Sequence, residues 1–227
     1  MLKAVIFDMD GVIIDSEIEY LKRDLEFART KNPDVKMEDL LGMVGSSRED
    51  AWSCMVKAIK SDKTWQEVRD ECRSNRDVFS EIDYCAIFRP EIPGILRTLQ
   101  QMGLRLALAS STNKELILRV LEENGIRDFF EVVVSGAQFK RSKPDPEIYH
   151  HTAELLGLSE KECLAVEDST FGVTAAYRAG MPVTALIDER FGFDQSLAGW
   201  RMHKLEEVLD IAEKLQKEDT DGTLDKF

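Results

Sequence analysis

Short apolar runs recur along this chain with room for one helix between them, and most of them end on a polar or acidic residue. Ala4-Val5-Ile6-Phe7 ends at Asp8, Leu104 to Ala109 ends at Ser110, and Leu164-Ala165-Val166 ends at Glu167-Asp168. Val132-Val133-Val134 and Val183 to Ile187 are two more such runs. A short continuous apolar run is the pattern of a strand buried on both faces. Strands that alternate with helices imply a parallel sheet covered on both sides, because each parallel crossover needs a connecting segment. The expected fold class is therefore α/β, a Rossmann-like doubly wound parallel sheet. In such sheets ligands sit beyond the carboxyl ends of the strands. The polar residues that close the runs all fall there.

Helix signals lie between the runs. Ile92 to Met102 reads as a helix stopped by Gly103, and Thr112-Asn113-Lys114-Glu115 as the start of another that ends near Asn124-Gly125. Pro144-Asp145-Pro146 opens a helix toward Leu156, and the one after Asp168 runs to Ala179 with Gly180 beyond it. The stretch from Glu17 to about Asp83 differs: charges are dense, β-branched runs are absent, and helical periodicity dominates. Ser46-Ser47-Arg48-Glu49 and Thr64-Trp65-Gln66-Glu67 read as capping boxes. The expected organisation is a catalytic core of residues 1–15 and 86–215, a small all-helical insertion over 16–85, and an acidic flexible tail over 216–227.

Composition narrows the partners. The chain has 227 residues and a net charge of −13. A nucleic-acid binder needs a basic face, so nucleic acid is not expected. No run approaches a membrane span, and no signal-like segment opens the chain, so a cytoplasmic protein is expected, and a monomer. Cys54, Cys72, Cys85 and Cys163 are scattered without metal-site spacing and read as buried or partly buried free thiols. His150, His151 and His203 show no ligand spacing either.

Asp8 and Asp10 lie two apart at a strand end, and Gly11 allows a sharp turn after them. Two carboxylates this close need a cation, a shared proton, or both. Magnesium suits an all-oxygen site, and Glu167 with Asp168 supplies further carboxylates. Lys143 supplies fixed positive charge and Ser110 a hydroxyl. Ser111, Thr112 and Asn113, at the start of the next helix, are expected substrate contacts, since a helix start supplies backbone N–H groups. The set suits phosphoryl transfer: Asp8 as nucleophile, Asp10 as acid and base, magnesium and Lys143 offsetting phosphate charge. Each piece alone also has an ordinary reading as a turn, a helix cap, a surface lysine or a polar sheet rim. The tail makes the point, since Asp219-Thr220-Asp221-Gly222 copies the acidic motif with no strand before it. Order and common placement carry the case.

Those motifs, in that order, resemble the haloacid dehalogenase-like hydrolase superfamily. Asp8-Met9-Asp10-Gly11-Val12 is similar to its first motif, Ser110 to the second, Lys143 to the third and Glu167-Asp168 to the fourth. The resemblance implies magnesium held by the Asp8 carboxylate, the Asp10 backbone carbonyl and Asp168, with Glu167 assisting. It implies phosphate held by Ser110, Lys143 and the backbone after Asp8. The helical insertion resembles the cap of the β-phosphoglucomutase-like branch, which closes over the site and reads the leaving group. Gly45-Ser46-Ser47-Arg48 resembles that branch's specificity loop, so these four are expected substrate contacts. The branch's mutases carry a histidine where this chain has Tyr20, which favours hydrolysis of small phosphorylated metabolites, sugar phosphates foremost. A phosphomutase and a non-catalytic phosphometabolite binder are the alternatives.

Overall fold

The computed structural model describes residues 1–46, 48–74 and 82–218, with positions 48 and 218 described by backbone alone. Six strands make one sheet: β1 (Ala4–Phe7), β2 (Arg105–Ser110), β3 (Val132–Ser135), β4 (Cys163–Glu167), β5 (Val183–Leu186) and β6 (Trp200–Met202). Their order is β3-β2-β1-β4-β5-β6, and every pair is parallel. The expected doubly wound sheet is present. The chain winds outward from β1 on one side, then returns to lay β4, β5 and β6 on the other. The strand order reverses between β1 and β4, which is where doubly wound folds open a crevice.

Eight α-helices lie among the described residues: α1 (Glu17–Lys31), α2 (Arg48–Ala58), α3 (Trp65–Ser74), α4 (Ile92–Gln101), α5 (Lys114–Glu123), α6 (Glu147–Leu156), α7 (Thr170–Arg178) and α8 (Val208–Glu218). All four residues of β1 are fully buried, which is why it reads as a continuous apolar run. One face of the sheet carries Ala4, Ile6, Ala107, Ala109, Ala165 and Ala185, packed with Tyr149 and Ala153 of α6 and with Val173 and Ala176 of α7. Small residues on the strands let those helices sit close to the sheet.

The chain divides into two compact units, one from Met1–Ile14 and Tyr84–Phe227, the other from Asp15–Asp83. The described elements of the second unit are all helical: α1, a 3₁₀ helix (Met37–Met43), α2 and α3. α1 buries Leu21, Leu25 and Ala28, a stripe at helical spacing. The Thr64–Glu67 capping box is formed, with Glu67 N donating to Thr64 Oγ1 at 3.3 Å and Thr64 N donating to Glu67 Oε2 at 2.8 Å. The Ser46–Glu49 box includes Ser47, which lies outside the described residues; Ser46 Oγ donates to the Met43 carbonyl at 3.0 Å.

Three details depart from the sequence reading. Strand β6 is additional. α8 runs to Glu218, so 216–218 are helical, and Gln216 Nε2 donates to the Met102 carbonyl at 3.2 Å beyond the end of α4. The rest of the expected tail, 219–227, lies outside the described residues. Cys85 is exposed rather than buried, because it sits in the turn that leads the chain back into the core; all four cysteines are free. No described helix is long and apolar enough to cross a membrane.

Candidate active site

Asp8 follows β1 directly and stays in the ladder, its N–H donating to the Val166 carbonyl at 2.9 Å. This places its side chain at the point where the strand order reverses. Glu167 is the last residue of β4, and Asp168 follows it. Asp8, Glu167 and Asp168 are all buried, and one carboxylate oxygen of each lies within 4.8 Å of the others.

Lys143, in the loop before α6, enters this group. Its ammonium donates to Asp8 Oδ1 at 2.8 Å, to Glu167 Oε1 at 2.7 Å and to the Ala109 carbonyl at 3.0 Å. The ammonium therefore binds two of the three clustered carboxylates, those of Asp8 and Glu167. Burial pushes the Asp8 carboxyl up to about 7; Lys143 pulls it back, while Glu167 and Asp10 push it further. Burial works to lower the Lys143 ammonium, but Asp8 and Glu167 outweigh it and hold it well above the ordinary lysine value. The lysine thus stays charged.

Asp10 is half-buried, and its backbone leads into the turn at Gly11. Gly11 has φ +79°, and a Cβ there would lie 1.9 Å from Asp168 Oδ2. Both the turn and the close approach of Asp168 require glycine. The Gly11 carbonyl accepts from Arg89 Nη2 at 3.0 Å. Oδ2 of Asp10 accepts from Thr112 Oγ1 at 2.8 Å, and Ser110 Oγ lies 3.4 Å away, too far for a strong hydroxyl bond. Ser110 is fully buried, and its oxygen accepts from the Thr112 N–H at 3.0 Å.

Ser111 is exposed beside the site. Asn113 caps α5, its Oδ1 accepting from Leu116 N at 2.9 Å. Gly45 and Ser46 belong to the helical unit, Ser47 is outside the described residues, and Arg48 opens α2.

Three further residues shape the site and are not prominent in the sequence. Tyr149, fully buried on α6, donates its hydroxyl to Glu167 Oε1, and its ring centroid lies 5.3 Å from Lys143 Nζ. Gly172, in the first turn of α7, leaves room for Glu167: a Cβ there would lie 1.8 Å from Oε2. Gln195 Nε2 donates to the Asp168 carbonyl and, at 2.8 Å, to that of Leu186. A signal existed for Tyr149 and Gly172, since both fall in the first turn of a helix that begins just after a motif residue.

An open parallel sheet with clustered carboxylates and a buried lysine at its reversal point defines a class of α/β hydrolases. The family model described as haloacid dehalogenase-like hydrolase matches residues 5–186, and the chain belongs to that family. It is 34% identical over 197 residues to β-phosphoglucomutase of Bacillus subtilis, covering 79% of this chain and 81% of that one. It is 30% identical over 184 residues to the phosphorylated carbohydrates phosphatase of Thermotoga maritima, covering 79% of this chain and 82% of that one. The solved structure of β-phosphoglucomutase from Clostridium difficile superposes with a TM-score of 0.75 at 22% identity, over 97% of this chain and 100% of that chain. At that identity the likeness is one of fold.

Proposed function

We propose that this chain is a magnesium-dependent phosphatase of small phosphorylated metabolites, sugar phosphates foremost, working in the cytoplasm as a monomer through an aspartyl-phosphate at Asp8. The observation that carries the reading is the Lys143 ammonium between Asp8 and Glu167, at 2.8 and 2.7 Å, with Asp168 beside them. The Thermotoga maritima relative, named for phosphorylated carbohydrates, supports the substrate class.

The donor set fits magnesium. Three buried carboxylates against one ammonium leave excess negative charge, and all the donors are hard oxygens. Asp8, Glu167 and Asp168 would hold the ion, with Asp10 contributing through its backbone carbonyl. When bound, magnesium would supply charge neutralisation at the phosphoryl oxygens.

The protein's own groups account for the remaining steps. Lys143 and the Ser110 hydroxyl would hold the phosphoryl oxygens. An Asp8 oxygen attacks phosphorus, and the bond from phosphorus to the ester oxygen breaks. Asp10 gives that departing oxygen a proton. Water then attacks the aspartyl-phosphate, Asp10 takes its proton, the Asp8–phosphorus bond breaks, and inorganic phosphate leaves with Asp8 restored.

A phosphate-release screen over sugar, polyol and nucleotide phosphates tests this. Turnover should require magnesium and stop with chelator. Asp8→Asn should abolish it, and Asp10→Asn should lower it about 100- to 10,000-fold. No turnover across the panel with magnesium present would count against the reading and favour a non-catalytic binder. The Bacillus subtilis relative favours a second reading, a sugar phosphomutase. That reading predicts isomerisation of a hexose 1-phosphate, dependent on a bisphosphate, with little net phosphate release.

A further inference from the structure

We infer that Thr112 is a positioning residue for Asp10, holding its carboxylate for proton transfer, rather than a contact for substrate phosphate. The inference rests on the phosphatase reading and adds a role within it.

Thr112 has one hydroxyl proton, and that proton is given to Asp10 Oδ2 at 2.8 Å. Ser110, the neighbouring hydroxyl, lies 3.4 Å from the same oxygen, so Thr112 makes the shorter bond. Threonine is branched at Cβ and its χ1 is stiff, so the direction of Oγ1 follows from its backbone. That backbone is pinned at both polar atoms. Its N–H donates to Ser110 Oγ at 3.0 Å, and its carbonyl accepts from Ser135 Oγ at the end of β3. Gly136 helps as well: a Cβ there would lie 3.0 Å from the Ser111 Cα, so the missing side chain lets the loop after β2 lie against the end of β3.

Asp10 is held in a complementary way. The turn after it is fixed by Gly11 and by Arg89 on the Gly11 carbonyl. Those contacts set the backbone of the turn. Thr112, in the loop after β2, reaches the side chain and fixes the direction of Oδ2. A proton donor that must meet a departing oxygen loses efficiency steeply when it is misplaced.

The consequence is a dependence on the leaving group. An alkyl phosphate needs a proton as its oxygen departs. A p-nitrophenyl phosphate does not, because its oxygen leaves as a stable anion. The test compares wild type, Thr112→Val and Thr112→Ser with magnesium present, using kcat/KM for glycerol phosphate and for p-nitrophenyl phosphate. Inhibition by inorganic phosphate is measured alongside, and thermal melts check folding. Thr112→Val is expected to lower kcat/KM about 10- to 100-fold on the alkyl ester and less than about threefold on the aryl ester. Inhibition by phosphate should be unchanged, and Thr112→Ser should recover most of the alkyl activity. Equal loss on both esters with weaker phosphate inhibition would make Thr112 a phosphate contact and overturn the inference. Unchanged kinetics on both esters would overturn it too. Those outcomes leave the phosphatase reading standing, whereas a wild type that turns over neither ester fails both.

Discussion

Gly172 occupies the first turn of α7, where an alanine would ordinarily favour the helix by up to about 1 kcal/mol. The Glu167 carboxylate fills the space that the alanine methyl would need, with Oε2 1.8 Å from the Cβ position. That carboxylate cannot move aside and keep its contact with Lys143 at 2.7 Å. Gly172→Ala should therefore lower kcat at least about tenfold, despite the better helix former. Glu167→Asp in the same chain restores the space, so a double-mutant cycle on kcat should show coupling above about 1 kcal/mol; additive effects would contradict this. Asn113 separates structure from chemistry in the same way. Its side-chain oxygen caps α5, so Asn113→Ala should cost about 1 kcal/mol in urea unfolding and leave KM within about twofold. The residues that the sequence made legible here, Asp8, Lys143, Glu167 and Asp168, are charges placed next to strand ends or a helix start. Thr112, Tyr149 and Gly172 were not legible in these roles. A first-turn position after a motif residue puts Tyr149 and Gly172 near the site, but which side chain each of the three meets is set by tertiary packing, and nothing along the chain records that.

Five of the six strands were readable because each is buried and apolar enough to stand out. β6 was not. Trp200-Arg201-Met202 is an edge strand of mixed character, and its pairing with Thr184, Ala185 and Leu186 of β5 is what makes it a strand. Long-range pairing of that kind leaves no periodic trace. In the helical unit, α1 shows a conflict between pattern and chemistry. Asp24 lies beside Leu21, Leu25 and Ala28, the stripe that α1 buries. Burial pushes its carboxyl up to about 7, and the Arg73 charge offsets this only in part. The folded state then holds a proton that the unfolded chain releases near pH 4. Between about pH 4 and 7 the folded state binds more protons, so stability falls as pH rises through that window. Asp24→Asn removes that slope. Thermal melts from pH 5 to 8 should show the variant more stable than wild type, with the gap widening toward pH 7. A gap that narrows as pH rises would show that Asp24 is held as a favourable anion instead.

At the scale of the whole molecule, 43 acidic residues against 30 basic ones set a field that opposes an anionic substrate. Within the carboxylate cluster of the core, Lys143 is the opposing charge. The two fields differ in range. The lysine acts over a few ångströms among buried groups, where salt screens little, whereas the surface charge acts through water. The screening length falls from about 30 Å at 0.01 M salt to about 8 Å at 0.15 M. Salt should therefore weaken the repulsion more than the local attraction. For a dianionic phosphate ester, kcat/KM should rise a few-fold between about 10 and 150 mM sodium chloride, with magnesium kept saturating. Enzymes that steer anions with a basic surface do the reverse. Steady-state rates across that series, with an uncharged crowding agent as a viscosity control, decide the sign. A fall with salt would mean that positive charge gathered at the strand ends governs approach as well as binding, and that the acidic surface lies too far from the substrate's path to matter.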